Sequence, residues 1–265
     1  MVTARPPAVA GTFYPAQPKE LHGAIHQYLE AARASSALSE TPPKALIVPH
    51  AGLVYSGPVA ARGYVLLEGA SDRIKRVILL GPSHHVPFAG LAVAAHDAFE
   101  TPLGKVPLDD ACRQRLLRLP FVHALNEAHR WEHSLEVQLP FLQEVLRGFT
   151  LMPIAVGQAT PEQVAEVLDS CWGADETLIV ISSDLSHYFD YDTAKQMDAA
   201  TARAIETLDP PRIQHDDACG CIAVQGLLQA ARHHSLAATT VDLRNSGDTA
   251  GSRDEVVGYG TWAFR

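Results

Sequence analysis

Residues 45–48, 77–80, 151–156 and 178–181 are each apolar without a break. A strand with one wet face alternates apolar and polar positions, whereas a strand covered on both faces does not. These runs therefore predict buried strands. Between and after them the pattern changes to a helical period. Residues 58–70 predict a helix with Pro58 in its first turn. Residues 108–120 predict one that stops at Pro120, and residues 132–148 one that kinks or breaks at Pro140. Residues 160–173 open with Thr160 as N-cap, Pro161 at the first position and Glu162-Gln163 in the first turn. Residues 192–208 and 219–234 supply two more helices.

Residues 90–104 predict one or two strands closed by a Pro-Leu-Gly turn, and 238–248 with 256–265 a closing hairpin on one edge. The Ala/Ser stretch near Ala31–Leu38 predicts a helix end and a loop. Strands alternating with helices indicate βαβ units. The expected class is α/β: one domain over residues 1–265, with a mostly parallel or mixed central sheet and helices on both faces.

Composition narrows the function. With 265 residues, 47% of them hydrophobic and 19% charged, the chain has the make-up of an ordinary globule. Its formal net charge of −9 disfavours nucleic acid as a partner. No apolar run approaches the ~18 residues of a membrane span. "MVTARPPAVAGTFYPA" contains no apolar core of a signal peptide, so a cytoplasmic chain is expected. Four cysteines are too few for a disulfide scaffold.

The chemistry gathers where the apolar runs end. One run leads into His50, a second into Ser83, His84 and His85, and a third into Ser183, Asp184 and His187. Ligands of open α/β sheets sit beyond the carboxyl ends of the strands. If these strands are neighbours, their side chains share one rim. "CGC" at Cys219–Cys221 opens a helix, whose N-terminus favours thiolate, although two small apolar fillers would read the same way. Cys112 and Cys171 fall within amphipathic helices and read as core. Glu132 and Glu136 lie about one helical turn apart with His133 between them. They are either helix-start carboxylates or outer groups that hydrogen-bond the rim histidines. His85 reads as packing beneath the rim or hydrogen-bonding there. His22, His26, His215, His233 and His234 read as solvated, and Asn245-Ser246-Gly247 as a turn.

In order, "AVAGTFYPA", "PHAGLVYSGPVAARGY", "ILLGPSHHVP", "TPLGKVPLD", "EHSLEVQLPFLQ", "PIAVG", "SSDLSHY" and "CGCIAV" resemble the Memo-like family over nearly the whole chain. The chain looks like the B component of the AmmeMemoRadiSam set. The resemblance implies the fold of class III extradiol ring-cleavage dioxygenases and a mononuclear metal site of two histidines and one cysteine. Matched by motif, His50, His84 and Cys219 are the metal ligands, His187 is the acid/base and Asp184 stands beside it. Ser183, His85, Glu132, His133, Glu136 and Cys221 are expected around the pocket. Partners implied are a radical S-adenosylmethionine protein, the third AmmeMemoRadiSam component, and an unknown small molecule or peptide. Where several members carry a basic residue, histidine and proline after "CG", this chain has Cys221-Ile222-Ala223, which weakens peptide binding.

Two imidazoles and a thiolate suit iron(II) or copper, with zinc as the alternative. Three functions stay open at this point. One is a redox-active, dioxygenase-like oxidoreductase on a small or protein-borne substrate. The second is a non-catalytic pocket for a phosphopeptide or anion on the same scaffold. The third, ranked last, is metal-free catalysis by Cys219 with His84 or His187 as base.

Overall fold

Nine strands pair into one sheet whose centre is parallel. The computed structural model describes residues 3–34 and 41–265. Strands, in chain order, are β1 (Ala4–Arg5), β2 (Ala45–Val48), β3 (Arg76–Pro82), β4 (Leu91–Val93), β5 (Ala98–Thr101), β6 (Gly104–Pro107), β7 (Val122–Ala124), β8 (Thr150–Val156), β9 (Thr177–Ser182), β10 (His187–Phe189), β11 (Ala238–Asn245) and β12 (Val256–Phe264). Helices are α1 (Pro18–Ala34), α2 (Leu53–Tyr64), α3 (Asp110–Leu116), α4 (Asn126–Arg130), α5 (Leu139–Val145), α6 (Pro161–Cys171), α7 (Tyr191–Glu206) and α8 (Cys221–His233). The main sheet runs β10-β12-β2-β9-β3-β8-β4-β7, with β11 also paired to β12, and β1-β5-β6 form a small second sheet.

The unbroken apolar runs are explained by two cores, one on each face. On β2, Leu46 and Val48 point into a core with α1, α2 and α5, while Ala45 and Ile47 point into a core with α6 and α8. β3 and β9 divide the same way, Leu79 and Val180 on one side, Ile78 and Ile181 on the other. Period-two geometry with both faces covered makes every position apolar. The expected α/β class, with a mixed sheet between helices, is the fold that forms. Among the described residues no helix is long and apolar enough to cross a membrane.

Three local expectations need correction. The helix around Pro58 begins five residues earlier, at Leu53, so Pro58 sits inside α2. The missing N–H falls opposite Val54, on a turn whose side chain is exposed. The helix expected from residue 132 starts only at Leu139, because Pro140 occupies its first turn rather than its middle. Residues 132–135 are therefore loop and turn. The closing hairpin forms, but only its β11 strand lies at an edge, since β12 also pairs with β2 and β10. Of the Ala/Ser stretch, α1 reaches Ala34 and the remainder lies outside the described residues.

Glu136 belongs to this framework. Its carboxylate pairs with Arg5, accepts from the N–H groups of Ala8 and Val9, and accepts the Tyr14 hydroxyl. Both Glu136 and Arg5 are buried. The anion thus ties the N-terminal segment to the turn before α5. Removing one partner of a buried pair leaves the other charge uncompensated. Glu136→Ala is expected to lose about 3–5 kcal/mol of unfolding free energy, read from urea denaturation. A loss below ~1 kcal/mol would show that the N-terminal segment is held by other contacts.

Candidate metal centre

The sheet order makes β2, β9 and β3 adjacent and parallel, so their carboxyl ends open on one rim. Val48 pairs with Ser182, which sets the residues after β2 beside those after β9. The His50 N–H donates to the Asp184 carboxylate at 2.6 Å, and Ala51 N–H reaches the same oxygen at 3.3 Å. One buried carboxylate thus fixes the backbone of the "PHAG" turn.

Each histidine is held by one ring nitrogen. His50 Nδ1 lies 2.9 Å from Ser182 Oγ, and that hydroxyl donates to the Ser134 carbonyl at 2.6 Å. Gln138 donates to Ser182 Oγ and to the Pro49 carbonyl, bracing the same turn. His84 Nδ1 lies 2.8 Å from Glu132 Oε1, and the His84 N–H donates to the other carboxylate oxygen at 2.6 Å. In both rings Nδ1 is engaged and Nε2 is left for the site, an arrangement in which an outer partner orients a metal-binding imidazole.

His133 completes the group. Its ring stacks on His84 with centroids 4.5 Å apart and meets His50 edge-on at 5.5 Å. One donor nitrogen from each of His50, His84 and His133 lies within 4.8 Å of the other two, a spacing that could hold a metal ion. Cys219 stands beside this group but outside the 4.8 Å set. Its Sγ is 3.3 Å from His50 Nε2 and accepts the Asp184 N–H at 3.3 Å. The structure therefore adds a third nitrogen, from a residue the sequence placed only around the pocket.

Burial sets the protonation states. Desolvation pushes His50 down to about 3 and His133 down to about 4, with neighbouring imidazoles adding to both shifts. Both rings are neutral, with lone pairs available. At His84 burial works the same way, but the hydrogen bond and charge of Glu132 outweigh it and raise its pKa. Burial likewise works against charge on Glu132, yet the bonds from His84 and Ser134 hold it well below the usual carboxylate range. Asp184 is raised by burial, against the opposing N–H donors of His50 and Ala51. Burial pushes the Cys219 thiol well up, with the Asp184 charge adding to it. The helix-dipole expectation for this thiol is overturned: Cys219 precedes α8 by two residues and its desolvation dominates.

The remaining expected residues separate. Glu136 makes none of its hydrogen bonds to the rim histidines; it serves the N-terminal segment, as above. His85 is exposed rather than tucked beneath the rim, its ring 6.0 Å from His133. Ser183 is buried and accepts the Gly220 N–H, docking the start of α8. A Cβ at Gly220 would meet the Ser183 side chain at 2.8 Å, so only glycine permits this approach. His187 is half-buried at the start of β10, close enough to influence both His50 and Asp184. The next residue, Tyr188, is strained at φ 62° and is exposed. Cys221 is buried, with Sγ 3.2 Å from His215 Nδ1. His215, read as merely solvated, lines a cleft shared with His84 and Cys219.

A cleft of about 320 Å³ opens beside His84 and Cys219. Its walls are mainly apolar, from Val86, Phe88, Val156 and Ile222, with Gln158 and His215 as polar groups. None of the residues lining it is lysine or arginine. Sequence reasoning missed Ser182, Gln138 and Phe88. Pro140 was the available signal for His133: a helix that starts at residue 139 leaves Glu132–Ser134 in the rim loop.

A family model described as "Memo-like protein" matches residues 5–263. A "MEMO1 family protein" of Aquifex aeolicus is 37% identical, the alignment covering 96% of this chain and 97% of that one. Another of that description, from Ignicoccus hospitalis, is 36% identical with 98% of each chain covered. In structure the chain is similar to an uncharacterized Escherichia coli K12 protein at TM-score 0.55 and 15% identity, covering 81% of this chain and 98% of that chain; this likeness concerns the fold.

The depressed histidines give a pH prediction. An unfolded histidine titrates near 6.5. As pH falls from there toward about 3–4, the unfolded chain binds protons at positions 50 and 133 that the folded chain refuses. Stability of the metal-free protein should fall over that window, by up to about 1.4 kcal/mol per pH unit for each such site. His84, raised, contributes oppositely: its stabilisation is present below 6.5 and fades as pH rises through its folded value. Urea midpoints between pH 7 and 4 test this, and His50→Asn should flatten the slope by up to one proton's worth.

Proposed function

The chain belongs to the Memo-like family, and on that footing we propose that it is a dioxygenase-like oxidoreductase built around one redox-active metal ion. The observation that carries this is the meeting of three imidazole nitrogens within 4.8 Å of one another beside an apolar cleft. His50, His84 and His133 would hold the ion through nitrogen. Cys219 would approach as the soft donor: ligands at about 2.0 and 2.3 Å on a tetrahedral ion stand about 3.5 Å apart, and its sulfur is 3.3 Å from His50 Nε2. Nitrogen and thiolate together favour iron or copper, with zinc as the alternative. Iron or copper held there would supply one-electron chemistry, which zinc would not.

The chain's own residues do the rest. The Glu132 carboxylate and the Ser182 hydroxyl fix the ring orientations of His84 and His50. The cleft excludes water around a substrate of small-molecule size and holds its apolar part against Phe88 and Ile222. His187 moves protons at the substrate, and Asp184 holds the His50 turn. A cleft without lysine or arginine, next to Glu132 and Asp184, does not attract a phosphate by itself. Binding of an anion would need the ion.

A second reading, a pocket that binds without turnover, is favoured by exposed aromatic groups on the segments that carry the site. Trp131 precedes Glu132, Tyr55 follows the His50 turn, and Tyr188 and Phe189 follow His187. A protein partner such as the expected radical S-adenosylmethionine protein would dock there.

Metal analysis of untagged protein after anaerobic loading with iron(II) or Cu(I) tests the central claim. One equivalent should be retained, and His50→Ala or His84→Ala should abolish retention. Retention unaffected by either change would sink it. Glu132→Gln should weaken affinity about 10–100-fold while leaving the ligands in place. Cys219→Ser should lower affinity for copper more than for zinc, and His133→Ala should weaken every ion. Oxygen uptake dependent on an added catechol separates turnover from binding. Saturable ligand binding without uptake supports the second reading.

A further inference from the structure

Away from the histidines, two thiols face each other across the second core. Cys112 lies on α3 and Cys171 ends α6. Their sulfurs are 2.9 Å apart, closer than the 3.5–4.0 Å at which even non-bonded carbons settle. Both are free thiols and both are 1% exposed. No histidine or carboxylate of the metal centre lies on these helices.

Packing alone does not explain the surroundings. Arg115, one turn on from Cys112 and itself exposed, carries its charge close enough to both thiols to interact with them. The Ser170 hydroxyl stands 3.7 Å from the Cys171 sulfur. Two apolar fillers would need neither group. A cation beside a thiol favours thiolate, the form that reacts with oxidants. The Cys171 thiol is held below its ordinary value by the Cys112 hydrogen bond first, against burial, and then by Ser170 and Arg115. Closing the gap to a bonded distance near 2.05 Å needs about 0.9 Å of movement.

We propose that Cys112 and Cys171 are an oxidant-responsive pair that forms a reversible disulfide with a peroxide. The Cys171 sulfur gives up its proton and attacks one peroxide oxygen. An S–O bond forms, the O–O bond breaks, and the leaving hydroxide takes the proton as water. The Cys112 sulfur then attacks the Cys171 sulfur. The S–S bond forms, the S–O bond breaks, and the hydroxyl leaves with the Cys112 proton as a second water. Two thiols lose two electrons in all, and one peroxide becomes two waters. A dithiol reverses the change. The bond would close a loop spanning 59 positions, from α3 through Glu132 and His133 to the end of α6. Oxidation would therefore tie down the segment that supplies one nitrogen of the metal centre.

The test uses the full chain, stripped of metal by a chelator, treated with about one equivalent of hydrogen peroxide, then alkylated unfolded and mapped by mass spectrometry. A Cys112–Cys171 linked peptide, released by dithiothreitol, is expected, together with a higher melting temperature that dithiothreitol reverses. Both thiols remaining alkylatable, or a link through Cys219 or Cys221 instead, would overturn the proposal. Arg115→Gln, at an exposed position, should slow linkage about tenfold; an unchanged rate removes Arg115 from the assignment. Cys112→Ser should leave Cys171 as a sulfenic acid that dimedone captures. If that variant does not fold, the mapping of the native chain decides.

Discussion

The parallel pairing of β2, β9 and β3 is the constraint on which everything else rests. Parallel strands end on the same side of a sheet, so three turns with no sequence proximity are delivered to one rim. The register is held by burial on both faces. A one-residue slip of β2 would exchange Leu46 and Val48 with Ala45 and Ile47 between two cores of different shape. It would also move His50 off the Asp184 carboxylate and Ser182 off the His50 ring. Core packing and site geometry are therefore one specification, written in the same residues.

Much of this was legible in the sequence because it depends on period and position alone. Unbroken apolar runs of four to six residues signal double burial, and a strand that ends in a histidine or aspartate places it at the rim whatever the rest of the fold does. His50, His84 and Asp184 were found that way. What escaped depends on where a helix begins. Reading residues 132–148 as one helix put Glu132 and Glu136 on a shared face. With the helix starting at Leu139, Glu132 turns to His84 and Glu136 to Arg5. Two carboxylates four residues apart thus do unrelated work. His215 escaped for a similar reason: in a polar loop its sequence context is that of solvent, and only the return of α8 toward β9 brings it to the cleft.

Cys219 shows how a local rule yields to its surroundings. A helix N-terminus offers a thiolate roughly half a unit charge, worth about 0.3–1 kcal/mol at an exposed site. Removing a thiolate from water costs several times more in an apolar setting. The Asp184 anion nearby adds to that cost, so the sulfur keeps its proton while it has only backbone, a serine hydroxyl and imidazole for company.

The site also lacks balancing positive charge. Glu132 is balanced by His84, but Asp184 takes its hydrogen bonds from the backbone N–H groups of His50 and Ala51. Neutral His50 and His133 add lone pairs and no positive charge. The pocket therefore combines unprotonated nitrogen, a protonated sulfur and an incompletely balanced carboxylate in one desolvated volume. Every one of these groups would be relieved by the same event, arrival of a cation that accepted the lone pairs and displaced the thiol proton. Burial that is costly for isolated polar groups would then become a source of affinity, and because the proton would have to leave, that affinity would rise with pH.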